Sequence, residues 1–136
     1  YLPSVNTWID EANLDNLPSA IELDVIQPWP DVKVEAIFSA NTTHIMSWEM
    51  VVDFFDGVGR SLDTGGLFIL YGPFNYKGQY TSQSNANFDL WLKDRDPRSA
   101  IRDFEALNHL AQKVRLSLVD DYAMPANNRI LHWVKQ

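Results

Sequence analysis

The fold is decided by residues 32–71, which read VKVEAIFSANTTHIMSWEMVVDFFDGVGRSLDTGGLFILY. The first eight of these residues are typical of a β-strand, in which Val34 and Phe38 lie on one face and Ile37 on the other. Apolar side chains on both faces predict a strand buried on both sides, as in a parallel sheet covered by helices.

A helix and a second strand complete this stretch. Ser47 is suited to cap the helix, because its hydroxyl can accept hydrogen bonds from the free N–H groups of the first turn. Apolar residues then recur at helical spacing from Trp48 to Leu62. Residues 63–66 are predicted to form a turn, and residues 67–71 are rich in β-formers. The result is a strand–helix–strand unit.

Further elements lie on either side of this unit. The other predicted helices cover residues 4–14, a short segment around Phe88 capped by Ser84 or Asn85, and residues 103–114. The other predicted strands cover residues 20–25, 116–119 and 130–134. The last two strands have no helix between them, so they should pair antiparallel. The chain is therefore predicted to be one α/β domain over residues 1–136, with a mostly parallel sheet, helices on both faces and an antiparallel C-terminal strand pair.

Composition excludes several classes of protein. Among 136 residues there are 11 basic and 18 acidic side chains, a net charge of −7, and no cysteine. Disulfides, a thiol nucleophile and Cys-ligated zinc are therefore excluded. The negative charge argues against a nucleic-acid surface, and no apolar run reaches the roughly 20 residues that a membrane span needs. Since no signal peptide precedes the fold, we expect a cytoplasmic protein, and the start at Tyr1 suggests part of a longer chain.

Polar residues concentrate in the loops that follow the predicted strands, where open α/β sheets bind ligands. His44 is the leading titratable candidate, because it lies between a strand end and a helix start. It suits a general base or a hydrogen-bond donor to a ligand, and the alternative is a structural bond to the neighbouring helix cap. His109 and His132 lie inside a helix and a strand, so we interpret both as structural or solvated, and the three histidines do not make a metal site.

Familiar catalytic motifs are absent. The sequence has no G-x-S-x-G nucleophile turn and no phosphate-binding loop of the G-x-x-x-x-G-K type. The pair Gly57 and Gly59 follows a helix rather than a strand, so it cannot present a helix N-terminus to a pyrophosphate. A hydrolase that uses Asp24 and His44 lacks a nucleophile motif.

Six blocks of sequence together resemble a known family. The blocks are LDVIQPWP at 23–30, IFSANTTHIMSWE at 37–49, LYGPF at 70–74, TSQSNANFD at 81–89, RDP at 95–97 with IRD at 101–103, and MPANN at 124–128. They resemble the uncharacterised "domain of unknown function" branch of class I S-adenosylmethionine-dependent methyltransferases, whose animal members are called methyltransferase-like protein 26. The resemblance covers nearly the whole chain from about Ile21.

The resemblance implies a Rossmann-like sheet in which seven strands run in the order 3-2-1-4-5-7-6. On that pattern the strand ending at Asp24 matches the third strand. The strands before Asn41 and Tyr71 match the fourth and fifth, and the last two match the sixth and seventh. The first two strands and the glycine-rich cofactor loop have no counterpart here, so the chain resembles the C-terminal two-thirds of the family. We therefore expect an open sheet edge at residues 34–38, and either a truncated form of a longer protein or a homodimer that covers this edge.

The resemblance also implies a methyltransferase with an unknown acceptor. The implied site residues are His44 and Asp89 for catalysis, Asp24, Val25, Ala40 and Asn41 for the S-adenosylmethionine cofactor, and Tyr71, Phe74, Asn85, Asn127 and Asn128 for the acceptor. Without the glycine-rich loop, this chain should bind S-adenosylmethionine weakly or not at all. The alternative is a non-catalytic binding or interaction domain with the methyltransferase fold. The expected partners are a small-molecule acceptor and a second copy of the chain, with no nucleic acid and no membrane.

Overall fold

The computed structural model describes residues 1–136 as two compact units, Tyr1–Pro30 and Asp31–Gln136. Its elements in chain order are α1 (Leu2–Ala12), β1 (Val34–Ala40), α2 (Trp48–Ser61), β2 (Leu62–Gly72), β3 (Phe74–Asn75), α3 (Gln83–Arg95), β4 (Arg102–Asp103), α4 (Phe104–Lys113), β5 (Leu116–Met124), a 3₁₀ turn (Pro125–Asn127) and β6 (Asn128–Lys135). None of the helices is both long and apolar enough to cross a bilayer. That the two units form one domain stays a prediction.

The unit Tyr1–Pro30 contains helix α1 and no strand. The helix ends at Ala12 and is capped by Asn13, which adopts the left-handed conformation with φ of 50°. The strand predicted over residues 20–25 is wrong, because these residues have no regular structure before a turn. Asp24 Oδ1 instead accepts a hydrogen bond from Ile26 N at 3.2 Å. A strand needs a hydrogen-bonded neighbour, and this unit offers none.

Four strands of the unit Asp31–Gln136 form a mixed sheet in the order β1-β2-β6-β5. β1 pairs parallel with β2, and β6 runs antiparallel to both β2 and β5. This order and these directions match the 4-5-7-6 half of the pattern that the resemblance implies. The antiparallel C-terminal pair is confirmed. The sheet is mixed, since β1, β2 and β5 run in one direction and β6 runs opposite to them.

The core lies on one face of this sheet, under α2 and α4. Phe68 of β2 stacks on Trp133 of β6 with ring centroids 5.5 Å apart, and Phe55 of α2 meets both rings edge-on. All three side chains are fully buried. The indole N–H of Trp133 donates to Asn108 Oδ1 at 2.9 Å, which satisfies the one polar group that burial would leave without a partner.

The other face of β1 is open. Phe38 is 67% exposed and Ala36 is also exposed, so the prediction that this strand is buried on both faces is wrong. The reason is the position of Phe38 in the strand. It pairs with Ile69, and both side chains lie on the face of the sheet opposite the one that α2 and α4 cover. β1 is one of the two edge strands of the sheet, as the resemblance implies.

Two local expectations differ from the structure. Residues 63–66 are part of β2 rather than a separate turn, and Gly65 supplies the positive φ of 84° at the irregular start of the strand. Helix α3 is capped by Ser82, whose hydroxyl accepts from Asn85 N at 3.0 Å, rather than by Ser84 or Asn85. The predicted cap Ser47 is confirmed, since its hydroxyl accepts from the N–H of residue 50 at 3.3 Å.

Candidate functional site

The carboxyl ends of β1 and β2 lie side by side. Ala40 is in register with Tyr71, and Asn41 N donates to Tyr71 O at 2.9 Å. Asn41 adopts the left-handed conformation with φ of 58°, which turns the chain away as soon as β1 ends. Asparagine accepts this conformation more readily than most residues, so the sequence favours a sharp exit at this point.

A pocket of about 350 Å³ opens at this edge, and we call it the carboxyl-edge pocket. Its lining residues are Asn41, Pro73, Ser84, Asn85, Phe88, Ala126 and Asn128. Three of the asparagines that the sequence analysis selected, from three separate segments, are thus brought together. A volume of this size lies at the small end of ligand pockets, which run from roughly 300 to 1,000 Å³.

Hydrogen bonds join α3 to the β5–β6 connection at this pocket. Asn85 is 5% exposed, and its Nδ2 donates to Thr81 Oγ1 at 3.1 Å and to Asn127 O at 3.3 Å. Asn127 Nδ2 donates in return to Ser84 Oγ at 3.2 Å. Ala126 and Asn127 both have φ of 60°, a strained conformation that clusters at ligand sites. The connection is therefore held in one shape against the helix.

His44 lies beside the pocket and is 6% exposed. Its ring packs edge-on against Phe88, and its side chain makes no hydrogen bond within the protein. A methyl group added at Gly72 would lie 3.9 Å from both Asn41 Oδ1 and His44 Nδ1, so these two polar atoms flank the end of β2. Burial lowers the pKa of His44, and the charge of Arg102 lowers it further. The imidazole is therefore neutral at neutral pH and can accept a proton.

Arg102 holds the loop that carries His44, and the sequence analysis did not select it. Its guanidinium donates to Thr43 O at 3.3 Å, to Met46 O at 2.5 Å and to Arg98 O at 2.9 Å. Burial lowers the pKa of Arg102 below its usual range, although the group stays a cation. The only sequence signal was its place in the IRD block, and nothing local indicated that it reaches back to the loop after β1.

Asp89 is 2% exposed and accepts three hydrogen bonds. Its donors are Tyr80 Oη, Lys93 Nζ at 2.7 Å and Ile101 N at 2.8 Å. Burial alone would raise the pKa of Asp89, but the hydrogen bonds from Lys93 and Tyr80 hold it below its ordinary value. The carboxylate does not line the carboxyl-edge pocket. Its catalytic role stays a prediction, and its contacts anchor α3 to the segment before β4.

The remaining predicted residues are placed as follows. Phe74 is 1% exposed, and its Cζ would lie 3.7 Å from a methyl group at Gly72, so it is buried beside the end of β2 and does not line the carboxyl-edge pocket. Tyr71 is half-buried at the end of the same strand. Asp24 and Val25 belong to the unit Tyr1–Pro30, where they take part in a turn. The structure brings no three His, Asp or Glu side chains together as a metal site.

The chain is similar in fold to solved O-methyltransferase structures. Over residues 1–135 its sequence matches the family described as "Protein of unknown function (DUF938)", and it belongs to that family.

Solved structures support the fold at low sequence identity. An O-methyltransferase family protein from Burkholderia thailandensis is 9% identical, with a TM-score of 0.85 over 98% of this chain and 40% of that one. The mitomycin 7-O-methyltransferase MmcR is 13% identical, with a TM-score of 0.83 over 99% of this chain and 39% of that one. A LepI variant in complex with SAH and a substrate analogue is 14% identical, with a TM-score of 0.76 over 100% of this chain and 35% of that one. The chain thus spans about two fifths of the length of such proteins.

Proposed function

We propose that this chain carries the acceptor-binding side of an S-adenosylmethionine-dependent methyltransferase site, in the branch that includes methyltransferase-like protein 26. The observation that carries the proposal is the convergence of Asn41, Asn85 and Asn128 on one pocket beside the neutral, buried His44. Neutral amides and an aromatic ring suit a small acceptor that is oriented by hydrogen bonds and shielded from water.

The cofactor would supply the methyl group on a sulfonium. Its ribose hydroxyls and ammonium group call for carboxylates, and no carboxylate lines the carboxyl-edge pocket. The sequence also has no glycine-rich loop after a strand in the unit Asp31–Gln136. These residues therefore do not fit the whole cofactor. Contacts from Ala40 and Asn41 at the end of β1 stay part of the proposal, and those of Asp24 and Val25 stay predictions from the resemblance. Binding of S-adenosylmethionine by this chain is expected to be weak.

On the acceptor side, His44 is the proposed base. Burial keeps its imidazole neutral, so a ring nitrogen can take the proton of an acceptor hydroxyl. The amides of Asn41 and Asn85 would orient the acceptor, and the ring of Phe88 would exclude water. Asp89 is the second candidate and is less suited, because both of its oxygens already accept hydrogen bonds.

The alternative function is a non-catalytic binding or interaction domain with the same fold. It is favoured by the same observation that no carboxylate lines the carboxyl-edge pocket. Methyl transfer needs a bound cofactor, whereas a binding domain does not. A cytoplasmic location stays a prediction under both alternatives.

Equilibrium dialysis with labelled S-adenosylmethionine tests the proposal. Asn41→Gly removes the amide and keeps the left-handed backbone, and Asn13→Gly makes the same change at another left-handed asparagine. We expect weak, saturable binding by the unchanged chain and by Asn13→Gly, and none by Asn41→Gly. Absence of binding by the unchanged chain at millimolar cofactor would favour the non-catalytic alternative, and full binding by Asn41→Gly would refute the placement of the site.

A further inference from the structure

A second cavity, of about 380 Å³, is lined by Trp91, the stacking partner of Phe88 from the carboxyl-edge pocket. We call it the Trp91 groove, and its lining residues are Ile45, Trp91, Leu92, Arg95, Asp96 and Ser99. Phe88 lines the first pocket and stacks on Trp91, with centroids 5.7 Å apart and planes at 18°. Ile45 follows His44 in the chain. The groove therefore lies on the same two segments that carry the candidate base and its aromatic neighbour.

The groove presents one cation without an acidic partner. The guanidinium of Arg95 lies 4.8 Å from the centroid of the Trp91 ring and makes no hydrogen bond or ion pair. The carboxylate in the groove belongs to Asp96, and it already accepts two hydrogen bonds from the guanidinium of Arg98. Nε donates to Oδ1 and Nη2 donates to Oδ2, each at 3.2 Å. Arg95 thus keeps its N–H donors available, in a protein whose net charge is −7.

The groove also presents flat apolar surface to solvent. Trp91 is 51% exposed and Ile45 is 60% exposed, although both line a cavity. A ring laid against these side chains would remove apolar area from water. A guanidinium beside that ring pairs best with a planar carboxylate, through two parallel N–H···O bonds.

We propose that the Trp91 groove binds an aromatic carboxylate, with its ring against Trp91 and Ile45 and its carboxylate on Arg95. Because Phe88 of the carboxyl-edge pocket stacks on Trp91 of the groove, this ligand is the methyl acceptor or the part of it that sets specificity. The second statement rests on the proposed function, whereas the binding of the aromatic carboxylate does not.

The test is a titration with 2-naphthoate, and with the uncharged 2-naphthamide as matched ligand, in the absence of S-adenosylmethionine. The indole N–H signal of Trp91 is followed by NMR and assigned with Trp91→Phe. We expect saturable binding of naphthoate, about tenfold weaker in Arg95→Gln, which corresponds to about 1.4 kcal/mol. Naphthamide should bind equally to both proteins. Lys113→Gln, which removes an exposed cation from α4, is the control and should leave naphthoate binding unchanged.

Three results would overturn the inference: no saturable shift of the Trp91 signal, equal affinity for acid and amide, or unchanged naphthoate binding by Arg95→Gln. Amide spectra of each variant show whether it is folded, and Arg95 is exposed, so its substitution leaves the core intact. Naphthoate binding without S-adenosylmethionine binding would contradict the proposed function and would still support the ligand site in the Trp91 groove. Binding of S-adenosylmethionine without binding of naphthoate would contradict only the ligand site in the Trp91 groove.

Discussion

The ring of His44 lies edge-on against the ring of Phe88, with centroids 5.4 Å apart and planes at 70°. Phe88 lines the carboxyl-edge pocket, so this contact places a buried imidazole directly behind the pocket wall. The loop of His44 is held in turn by Arg102. The candidate site therefore depends on both the burial of one ring and the anchoring of one loop.

The burial of His44 should make stability depend on pH. Its pKa in the folded protein is lowered by burial and then by Arg102, so the unfolded chain binds the proton at a higher pH. Its contribution is present above the ordinary pKa of about 6.5 and is lost as the pH falls through the folded pKa. The free energy of unfolding in urea should fall as the pH is lowered from about 7 to 5, and less so in His44→Gln.

The control for this prediction is His109→Gln, since His109 is exposed on α4. It should keep the pH dependence of the unchanged protein. An undiminished slope in His44→Gln would show that the imidazole is not held neutral by burial.

Replacement of Arg102 by glutamine should loosen the loop of residues 43–46. Carbonyls that accept from the guanidinium would lose a charged donor, which costs about 1–3 kcal/mol of unfolding free energy. Arg98→Gln is the matched control, because it removes a neighbouring exposed guanidinium while its backbone carbonyl still accepts from Arg102. Urea denaturation measures both changes. Equal stability of the two variants would contradict the anchoring role.

Gly59 permits the close approach of α2 to the end of α4. A Cβ added there would lie 2.6 Å from Val114 Cβ, a separation that real Cβ atoms essentially never show. Gly59→Ala should therefore lower the free energy of unfolding by about 1–3 kcal/mol, despite the better helix propensity of alanine. Asp56→Ala, at an exposed position of the same helix, should be close to neutral or stabilising. Thermal unfolding measures the stability of both variants. A Gly59→Ala variant that is more stable than the unchanged protein would refute the close contact between Gly59 and Val114.

The open edge at β1 leads us to expect self-association. Phe38 is 67% exposed on an edge strand, and such edges are templates for pairing with another chain. We predict a homodimer by light scattering that Phe38→Lys converts to monomer, because a charge on the edge opposes pairing. Leu90→Lys, an equally exposed apolar position on α3, is the control and should remain dimeric. A monomeric unchanged chain would contradict the prediction.

The local parts of the site could be predicted from the sequence. Asn41 and Asn128 flank predicted strands, and the carboxyl ends of neighbouring parallel strands meet at one edge of a sheet. Asn85 was found through the resemblance and lies at the same edge. The sheet order was implied by the family resemblance, whose 4-5-7-6 half corresponds to the order β1-β2-β6-β5.

The parts that depend on distant contacts could not be predicted. Arg102 is separated by 59 residues from Thr43, whose carbonyl it binds, and no periodic pattern carries that information. The resemblance implied a catalytic role for Asp89, and the sequence did not indicate the donors that hold its carboxylate. Residues 20–25 alternate like a strand, but a strand forms only where another strand supplies hydrogen bonds.

The most direct test of the carboxyl-edge site is amide NMR mapping of this chain with S-adenosylhomocysteine. We predict weak binding whose shifts concentrate at Ala40, Asn41 and Gly72, where β1 and β2 end. Shifts that concentrate instead at the opposite edge, in the cavity lined by Glu35 and residues 63–67, would contradict this placement. A spectrum without any shift at millimolar ligand would contradict the proposed cofactor contacts of this edge and would favour the non-catalytic alternative.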